Sequence, residues 1–283
     1  MLKVAVPNKG SLSEGAVKLL TESGFRCQRS GRELVVTDHT NDMEFLFLRP
    51  RDVAIYVGNG IIDLGITGRD LAADSGAEVA ELMPLNFGRS RFCFAAPKEL
   101  NLTSVKELDK KRIACSYPQL LKSKLAELGL DCPVVRLDGA VELSVKLGIA
   151  DAVADVVESG STLKEAGLAI LGDPLLHSEA VLIARDSACA ELPGARKLMS
   201  RIKGVIVASS YVMVEYDIRR ESLESACRIT PGIEAPTIAP LSNPDWVAVK
   251  AMIKKNDVNS IMDELYEIGA RGIFITEIRA CRM

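Results

Sequence analysis

Short apolar segments with strand character alternate with helical patterns through the first two-thirds of the chain, and this alternation constrains the fold most. A strand at residues 2–6 precedes a helix at 11–23 whose apolar residues share one face, and Gly24 follows as a stop signal. Further strands are predicted at 44–48, 64–67, 91–96, 112–115, 134–137 and 152–157, and further helices at 50–57, 104–109, 120–128 and 141–147. This order predicts an α/β fold with parallel sheets and helices on both faces.

Polar turns follow five of these strands where a helix is expected to begin. In chain order they are Pro7-Asn8-Lys9-Gly10, Arg49-Pro50-Arg51-Asp52, Gly68-Arg69-Asp70, Asp138-Gly139-Ala140-Val141-Glu142 and Ser159-Gly160-Ser161-Thr162. Ligands of such sheets bind beyond the carboxyl ends of the strands, and helix N-termini attract anions. Each turn alone is compatible with ordinary helix capping, but together they predict a site for a polyanion.

The segment 151–163 carries the most specific chemistry. It indicates an apolar strand with Asp151 and Asp155 on one face, because side chains alternate along a strand. Two carboxylates on one face are costly unless a metal ion or hydroxyl groups meet them. The following turn offers backbone N–H groups, hydroxyls and Gly160, which can adopt positive φ and so suits a phosphate. We predict a pocket for a phosphorylated pentose, with an ordinary surface connection as the alternative.

Composition excludes several classes of function. The 283 residues carry a net charge of −3 without a run of Lys or Arg, so neither nucleic acid nor membrane is an expected partner. Seven scattered cysteines and two histidines predict neither a disulfide framework nor a zinc site, and no Ser/His/Asp or Cys/His constellation is recognisable. The absence of a secretion signal or membrane-spanning run predicts a cytoplasmic protein.

The pattern changes near residue 208. Strands are predicted at 209–215, 246–253 and 272–278, and helices at 222–229 and 257–268. This order in a short stretch indicates a ferredoxin-like module of βαββαβ topology. The connection 230–240 is rich in Pro and Gly but too apolar for a solvated linker, so it either packs against a neighbour or forms a ligand loop.

Taken together, the motifs resemble the ATP phosphoribosyltransferases that open histidine biosynthesis. The segments that carry the likeness are Val6–Gly10, Leu48–Asp52, Gly65–Asp70, Leu137–Glu142, Asp151–Leu163, Thr230–Gly232 and Ser260–Leu265. The last two make the chain similar to the long form of the family, which has a C-terminal regulatory domain. The resemblance implies two type II periplasmic-binding-protein-like lobes around a catalytic cleft, followed by the ferredoxin-like domain.

The resemblance also implies the domain limits and the reaction. Lobe I is expected to comprise residues 1–91 and 178–206, lobe II residues 92–177, and the regulatory domain residues 207–283. The implied reaction joins N1 of the adenine of ATP to C1 of phosphoribosyl pyrophosphate and releases pyrophosphate with the help of Mg²⁺. Histidine is the implied feedback inhibitor, and the implied homo-oligomer is a hexamer assembled from dimers.

This chemistry explains the residue types. Displacement of pyrophosphate passes through an oxocarbenium-like state, and adenine N1 already has a lone pair, so positioning and electrostatics should supply most of the acceleration. Carboxylates favour the developing positive ring, since opposite charges about 4 Å apart gain about 4 kcal/mol at an effective dielectric of about 20. The expected catalytic residues are Asp151, Asp155 and Lys9.

Carried over residue by residue, the resemblance assigns two substrate sites. The phosphoribosyl pyrophosphate site comprises Asp138, Glu142, Asp151, Asp155, Ser159, Gly160, Ser161 and Thr162. The ATP site comprises Lys9, Arg49, Arg69 and Asp70. Asp151 and Asp155 hold either the ribose hydroxyls or the Mg²⁺ that the substrate phosphates carry. Asp70 either orients the base or caps its helix, and Arg51 is alternatively a solvated surface charge.

Two positions depart from the family pattern. Ser161 stands where the phosphate turn of the family carries Arg, so the backbone cradle is retained while a direct charge contact is lost. In the regulatory domain, the resemblance assigns histidine binding to Asp217, Ala235, Thr237 and Gly272, with Asp217 at the amino group. Ala235 lacks a hydroxyl found in some relatives, and packing within an oligomer is the alternative role for this loop.

Three other functions fit parts of the sequence. A solute-binding protein shares the two-lobed architecture but requires a secretion signal. A cytosolic amino-acid-sensing regulator would use only the C-terminal module and would leave the five polar turns unexplained. A phosphoribosyltransferase for a different base is compatible with the chemistry, because only the resemblance specifies ATP.

Overall fold

The computed structural model describes residues 1–31 and 33–282. Its strands are β1 (Leu2–Pro7), β2 (Val35–Asp38), β3 (Met43–Leu48), β4 (Leu64–Gly68), β5 (Ala80–Pro84), β6 (Ser90–Pro97), β7 (Ile113–Cys115), β8 (Val134–Arg136), β9 (Ala152–Val157), β10 (Leu168–Ser178), β11 (Ala180–Ala184), β12 (Tyr211–Arg219), β13 (Thr237–Pro240), β14 (Trp246–Lys254) and β15 (Arg271–Glu277). Its helices are α1 (Gly10–Glu22), α2 (Pro50–Gly58), α3 (Arg69–Ser75), α4 (Pro118–Leu128), α5 (Leu143–Lys146), α6 (Ser161–Glu165), α7 (Pro193–Ser209), α8 (Leu223–Ile229) and α9 (Val258–Glu267). None of these helices is long and apolar enough to cross a membrane.

The chain divides into two compact units. The first comprises residues 1–21 and 25–197, and the second comprises residues 22–24 and 198–283. The division falls inside α7, before the expected boundary at 207. Two α/β sheets lie in the first unit, and one antiparallel sheet lies in the second.

The first sheet, with its helices, is called lobe I below, and its strand order is β2-β3-β1-β4-β11-β5. Strands β3 and β4 run parallel to β1, so the turns that follow all three strands lie at one edge. Helix α2 covers this sheet through Val53 and Val57, which pack with the fully buried Ala5. Gly65 permits this close approach, because a Cβ there would lie 2.6 Å from the Val53 side chain.

The second sheet, with its helices, is called lobe II, and its order is β10-β6-β9-β7-β8. Strand β7 pairs in parallel with β8 and β9, whereas β6 is antiparallel to β9 and β10. In lobe I, β11 is likewise inserted antiparallel beside β4. Each lobe thus receives one reversed strand where the chain crosses over, which is the type II periplasmic-binding-protein-like arrangement that the resemblance implies.

The second unit contains the antiparallel sheet β13-β14-β12-β15 with α8 and α9. With the chain order βαββαβ, this is the ferredoxin-like module predicted from the sequence. Alternate residues of β12, such as Val214 and Tyr216, are buried in its core. The connection 230–240 packs within this module: Thr230 is buried and its hydroxyl lies 2.7 Å from that of Tyr216, and β13 pairs with β14.

Several elements differ from the sequence prediction. The segment 104–109 forms only a 3-10 turn at Val105–Leu108, and the segment 141–147 forms one short helix, α5. Strands β2, β5, β10, β11 and β13 are not predicted by periodicity, and residues 178–206 enter only through the resemblance. Strand β11 is buried on both faces, so it lacks the alternation by which a strand is recognised.

Candidate functional site

The turn after β9 has the conformation that the sequence predicts. Gly160 has φ of +82°, in the left-handed region that favours glycine. The Ser161 N–H donates to Ser159 Oγ at 3.4 Å, and the two serine hydroxyls lie 3.1 Å apart. This folding turns small polar groups toward one cavity of about 400 Å³, which is lined by Glu142, Asp155, Val156, Val157, Glu158, Ser159, Gly160, Ser161, Thr162 and Leu163. It is called the turn cavity below.

Asp155 provides the central carboxylate of the turn cavity. It is half-buried near the end of β9, and its Oδ1 accepts the Val156 N–H at 2.8 Å. Burial is the main cause that raises the pKa of Asp155, and the nearby Glu142 charge acts in the same direction while Arg51 opposes it. The cavity therefore combines a partly desolvated acid with a turn suited to phosphate.

Asp151 does not join this site. It lies just before β9, four residues from Asp155, a separation of about 13 Å along an extended strand. Its Oδ2 accepts the backbone N–H of Arg112 at 2.8 Å, and its Oδ1 pairs with the Arg112 guanidinium at 2.8 Å. These contacts lower the pKa of Asp151. The structure does not bring the two aspartates to one cavity, because alternation specifies the face of a strand and not its end.

Asp138 also lies outside the turn cavity. Its side chain is 86% exposed, and its Oδ1 lies 3.5 Å from the guanidinium of Arg136. The prediction of Asp138 as a wall of the sugar pocket is therefore not supported by the geometry. Of the eight residues predicted for phosphoribosyl pyrophosphate, the cavity brings together the six others.

Lys9 and Arg49 lie at the shared edge of lobe I, because Pro7 of β1 is in register with Leu48 of β3. Lys9 is exposed, and Arg49 is the N-cap residue of α2. At the same edge, where the Asn8 N–H donates to the Leu48 carbonyl, the Oδ1 of Asn8 is buried and is the atom without a hydrogen-bond partner among the buried polar side-chain atoms described. An acceptor of this kind is available to a ligand, and the sequence analysis did not select Asn8.

Arg69 lines a second cavity, of about 390 Å³, called the basic cavity. Its lining residues are Arg69, Arg89, Ser90, Arg91, Glu158, His177, Ser178 and Glu179. Arg69 itself is engaged by carboxylates: its Nη2 lies 2.7 Å from Glu81 and 3.6 Å from Glu179. Hydrogen bonding with Glu81 raises the pKa of Arg69. These contacts give Arg69 a structural role in lobe I. The prediction of Arg69 as an ATP contact did not include this role.

Arg89 and Arg91 supply further positive charge to the basic cavity, and sequence reasoning missed both as site residues. Arg91 is in register with Val157, so it lies beside the end of β9. The sequence does contain two arginines at alternate positions directly after Gly88, which could have indicated an anion site. They were missed because they follow a crossover and not one of the strand-to-helix turns. Glu158 lines both cavities, so the turn cavity and the basic cavity adjoin.

Asp70 is only 6% exposed, and its environment excludes the capping interpretation. Helix α3 has Gly68 as its N-cap residue and no side-chain cap. Instead, Asp70 Oδ1 accepts from the Ser178 hydroxyl at 2.8 Å, and the Asp70 N–H donates to the same hydroxyl at 3.0 Å. Burial first, and then the Asp70 charge, raise the pKa of the Tyr117 hydroxyl.

Arg51 is not a freely solvated charge. Its Nη1 lies 3.1 Å from Asp74 Oδ2, and its guanidinium carbon lies 4.6 Å from the centre of the Tyr117 ring. A cation over an aromatic face is a favourable contact. Arg51 therefore links lobe I to Tyr117 of lobe II.

The donor set for a divalent ion is small. Among the described residues, no group of three or more His, Cys, Asp or Glu side chains is placed to hold a metal. The turn cavity offers Asp155 and Glu142. Two carboxylates fit an ion whose remaining ligands are substrate phosphates and water, which is how Mg²⁺ is commonly held.

The four residues predicted for histidine binding are divided by strand β14. Asp217 lies on β12, on the side opposite the buried Tyr216, and a Cβ at Gly272 would lie 4.0 Å from Asp217 Oδ2. Thr237 starts β13, with Ala235 just before it, and pairs with Lys250 of the intervening strand. Asp217 and Gly272 therefore adjoin, whereas Thr237 and Ala235 lie beyond β14.

The family model of ATP phosphoribosyltransferase (HisG) matches residues 49–204, and the HisG C-terminal domain model matches residues 208–280. The chain is 55% identical over 287 residues to an ATP phosphoribosyltransferase of Arthrobacter sp. (strain FB24), and 51% identical over 284 residues to one of Mycobacterium tuberculosis (strain ATCC 25177 / H37Ra). Both alignments cover 100% of each chain.

Among solved structures, the ATP phosphoribosyl transferase (HisG:HisZ) complex from Thermotoga maritima matches with a TM-score of 0.61 at 26% identity. The match covers 72% of this chain and 99% of that chain.

Proposed function

The chain belongs to the ATP phosphoribosyltransferase family, and from this premise we propose that the turn cavity binds phosphoribosyl pyrophosphate and the basic cavity binds the departing pyrophosphate. The enzyme is a pentosyltransferase that transfers the 5-phosphoribosyl group to ATP in the first step of histidine biosynthesis. The observation that carries the proposal is the meeting of Glu142, Asp155, Ser159, Gly160, Ser161 and Thr162 in one cavity.

In this proposal the 5-phosphate lies in the turn formed by residues 159–162. The backbone N–H groups beside Gly160 and the Thr162 hydroxyl donate to its oxygens, and Ser161 contributes through its backbone and hydroxyl. The ribose then extends toward Asp155 and Glu142. Asp155 is the catalytic carboxylate, because it is half-buried near the end of β9 and its charge opposes the positive charge that develops on the ring.

ATP is assigned to the shared edge of lobe I. Lys9 and Arg49 contact its triphosphate, and the buried Asp70 together with the unpaired Asn8 Oδ1 faces the base. The lone pair of adenine N1 forms the new bond to C1 of the ribose, while the electrons of the old C1–O bond leave with pyrophosphate. Arg89 and Arg91 stabilise the growing negative charge of that leaving group.

Asp155 and Glu142 are the residues that would hold Mg²⁺ together with the pyrophosphate oxygens. When bound, the ion supplies neutralisation of the leaving group. Asp151 is withdrawn from this role by its contacts with Arg112.

We further propose that the ferredoxin-like module binds histidine as a feedback inhibitor and that the chain forms dimers that assemble into a hexamer in the cytoplasm. Asp217 would contact the amino group, beside Gly272. Ala235 and Thr237 lie across β14, so they would line the part of the pocket nearer that edge of the sheet. The domain limits 1–91 with 178–206, 92–177 and 207–283 belong to the same proposal.

A crystal soaked with phosphoribosyl pyrophosphate tests the substrate assignment directly. We expect the 5-phosphate against residues 159–162 and the ribose beside Asp155. Ordered substrate in any other cavity would refute the assignment, while leaving the family membership intact. A parallel absorbance assay of the adenine adduct, with ATP and Mg²⁺ present, confirms that the crystallised protein is active.

A further inference from the structure

The N-terminus of α4, in lobe II, is capped by a side chain of lobe I. Tyr117, the N-cap residue of α4, provides no side-chain acceptor, and the first N–H groups of a helix lack intrahelical partners. Asp74 Oδ1 accepts the backbone N–H of Gln119 at 2.9 Å and that of Leu120 at 3.2 Å. The capping carboxylate therefore comes from the last turn of α3 and not from the residues that precede α4 in the sequence.

The second carboxylate oxygen of Asp74 ties α2 into the same contact. Asp74 Oδ2 lies 3.1 Å from Arg51 Nη1, and the Asp74 side chain is only 11% exposed. The Arg51 guanidinium lies over the Tyr117 ring, whose centre is 5.8 Å from that of Phe92 in β6. Asp74, Arg51 and Tyr117 are called the interlobe clamp. All of its members are thus held by a charge, a hydrogen bond or a ring contact.

The interlobe clamp lies between the two half-sites. Arg51 acts on the charge of Asp155 in the turn cavity, and Asp70 acts on Tyr117, so each end of the clamp is within electrostatic reach of one half-site. Asp74 itself lines neither the turn cavity nor the basic cavity. A residue at this position influences how the two half-sites are placed relative to each other, without contacting the substrates.

We propose that Asp74 is a positioning residue that fixes the ATP half-site of lobe I relative to the phosphoribosyl pyrophosphate half-site of lobe II. Transfer requires adenine N1 and the anomeric carbon to be about 3–3.5 Å apart, and a displacement of about 1 Å can cost about 100-fold in rate. By capping α4 and holding Arg51, Asp74 maintains that spacing. The location of the half-sites rests on the proposed function, whereas the contact across the lobes does not.

The test compares Asp74→Ala and Asp74→Asn with Asp131→Asn. Asp131 is an 83% exposed carboxylate of lobe II that pairs with Lys110, so it controls for loss of an acidic side chain. For Asp74→Ala we expect kcat to fall by about 10- to 100-fold, while the affinity for phosphoribosyl pyrophosphate alone stays within about twofold. Asp74→Asn keeps an acceptor for the α4 amides but loses the charge that holds Arg51, so its kcat should be intermediate. Asp131→Asn should match the wild type.

Hydrogen exchange supplies a second readout. In Asp74→Ala the amides of residues 119 and 120 should exchange faster, while those of α9 should be unchanged. A folded Asp74→Ala enzyme with wild-type kcat overturns the proposal, as does a loss of activity matched by an equal loss of affinity for phosphoribosyl pyrophosphate alone. If Asp74→Ala does not fold, wild-type kcat in the isosteric Asp74→Asn is decisive against it.

Asp155→Asn, assayed in parallel, separates this inference from the proposed function. Full activity of that variant would refute the substrate assignment, and a selective kcat loss in Asp74→Ala would still stand.

Discussion

Strand β9 has one aspartate just before its start and another near its end, and the two differ in contacts and in charge state. Asp151 is bonded to the backbone and guanidinium of Arg112, which lowers its pKa. Asp155 is half-buried, accepts the Val156 N–H, and has a pKa that burial raises. The first carboxylate is stabilised as an anion by its surroundings, and the second is not.

The difference indicates which end of β9 is suited to a ligand. The end of β9 is followed by a turn with Gly160 in the left-handed region, and it faces the turn cavity, which the small polar residues 159–162 line. The start of β9 follows α5 and is closed by a structural ion pair. Asp155 forms no described ion pair at that end of the strand. Its charge is therefore poorly balanced until a cationic or hydroxyl-bearing ligand contacts it.

The largest expected effect comes from Asp155→Asn. Turnover should fall by on the order of 100-fold or more, as for removal of one preorganised stabilising group. Stability should be unchanged or slightly higher at pH 7. Because the folded pKa is raised, ionisation of Asp155 costs stability as pH rises through the unfolded pKa of about 3.9 and the higher folded pKa. The stability gain of the variant should therefore vanish below that window.

Adduct absorbance and thermal unfolding at several pH values measure the two effects of Asp155→Asn. Wild-type turnover, or a large drop in Tm with unchanged turnover per folded enzyme, would remove Asp155 from the active site.

Gly160→Ala should have the next largest effect. Positive φ costs a residue with a Cβ roughly 1–2 kcal/mol, so the turn is strained or displaced. We expect a KM for phosphoribosyl pyrophosphate about 10-fold higher, equivalent to about 1.4 kcal/mol of binding. Gly167→Ala is the matched control, since Gly167 has φ of +77° and lies outside the turn cavity. Equal KM changes in both variants would show that only general strain is being measured.

Arginines at the two ends of β9 allow the comparison to be extended to cations. Arg91→Ala should lower kcat/KM for phosphoribosyl pyrophosphate by about fivefold, which corresponds to about 1 kcal/mol for one charge contact near water. Arg112→Ala should leave steady-state kinetics unchanged and lower Tm modestly. The reverse result, a kinetic defect only in Arg112→Ala, would place the active site at the start of β9 and contradict the proposal. Initial rates with each substrate varied separately, together with thermal unfolding, provide the measurement.

The smallest kinetic effect is expected for Asp151→Asn. Its kcat and KM should equal those of the wild type, while the Tm at pH 7 falls slightly. A lowered folded pKa means that the stability contribution of Asp151 is present above the unfolded pKa of about 3.9 and is lost as pH falls through the folded pKa. The Tm difference should therefore begin to shrink near pH 4 and close only below the lower folded pKa of Asp151. A turnover loss comparable to that of Asp155→Asn would restore the original prediction of a carboxylate pair.

Much of the fold was predictable because local patterns agree with tertiary packing. Segments such as Leu64–Gly68 and Ala152–Val157 are apolar runs bounded by polar turns, and the βαββαβ order of the last module is visible as alternating segments. Strand β11 was not visible by periodicity, since Ala180–Ala184 is buried on both faces. Its partner β4 is more than a hundred residues away, and no local signal specifies such a pairing.

The candidate site was predictable in its chemistry and less so in its membership. Residues 159–162 form the predicted turn, with Gly160 at positive φ, and their role in phosphate binding stays a prediction. Arg89 and Arg91 were missed because their role depends on β6 entering lobe II beside β9. Asp74 was missed because the sequence around α4 does not indicate a capping residue that comes from another lobe.

The sequence by itself determined most of the elements, the turn at residues 159–162 and the family, because these depend on residue types in short, ordered segments. The tertiary structure decided that Asp155 and not Asp151 faces the cavity, that Arg69 is held by Glu81, and that Asp74 joins the lobes. Each of these facts depends on distances between groups far apart in the chain. Such distances are set by packing and crossover topology, which the residue types alone do not specify.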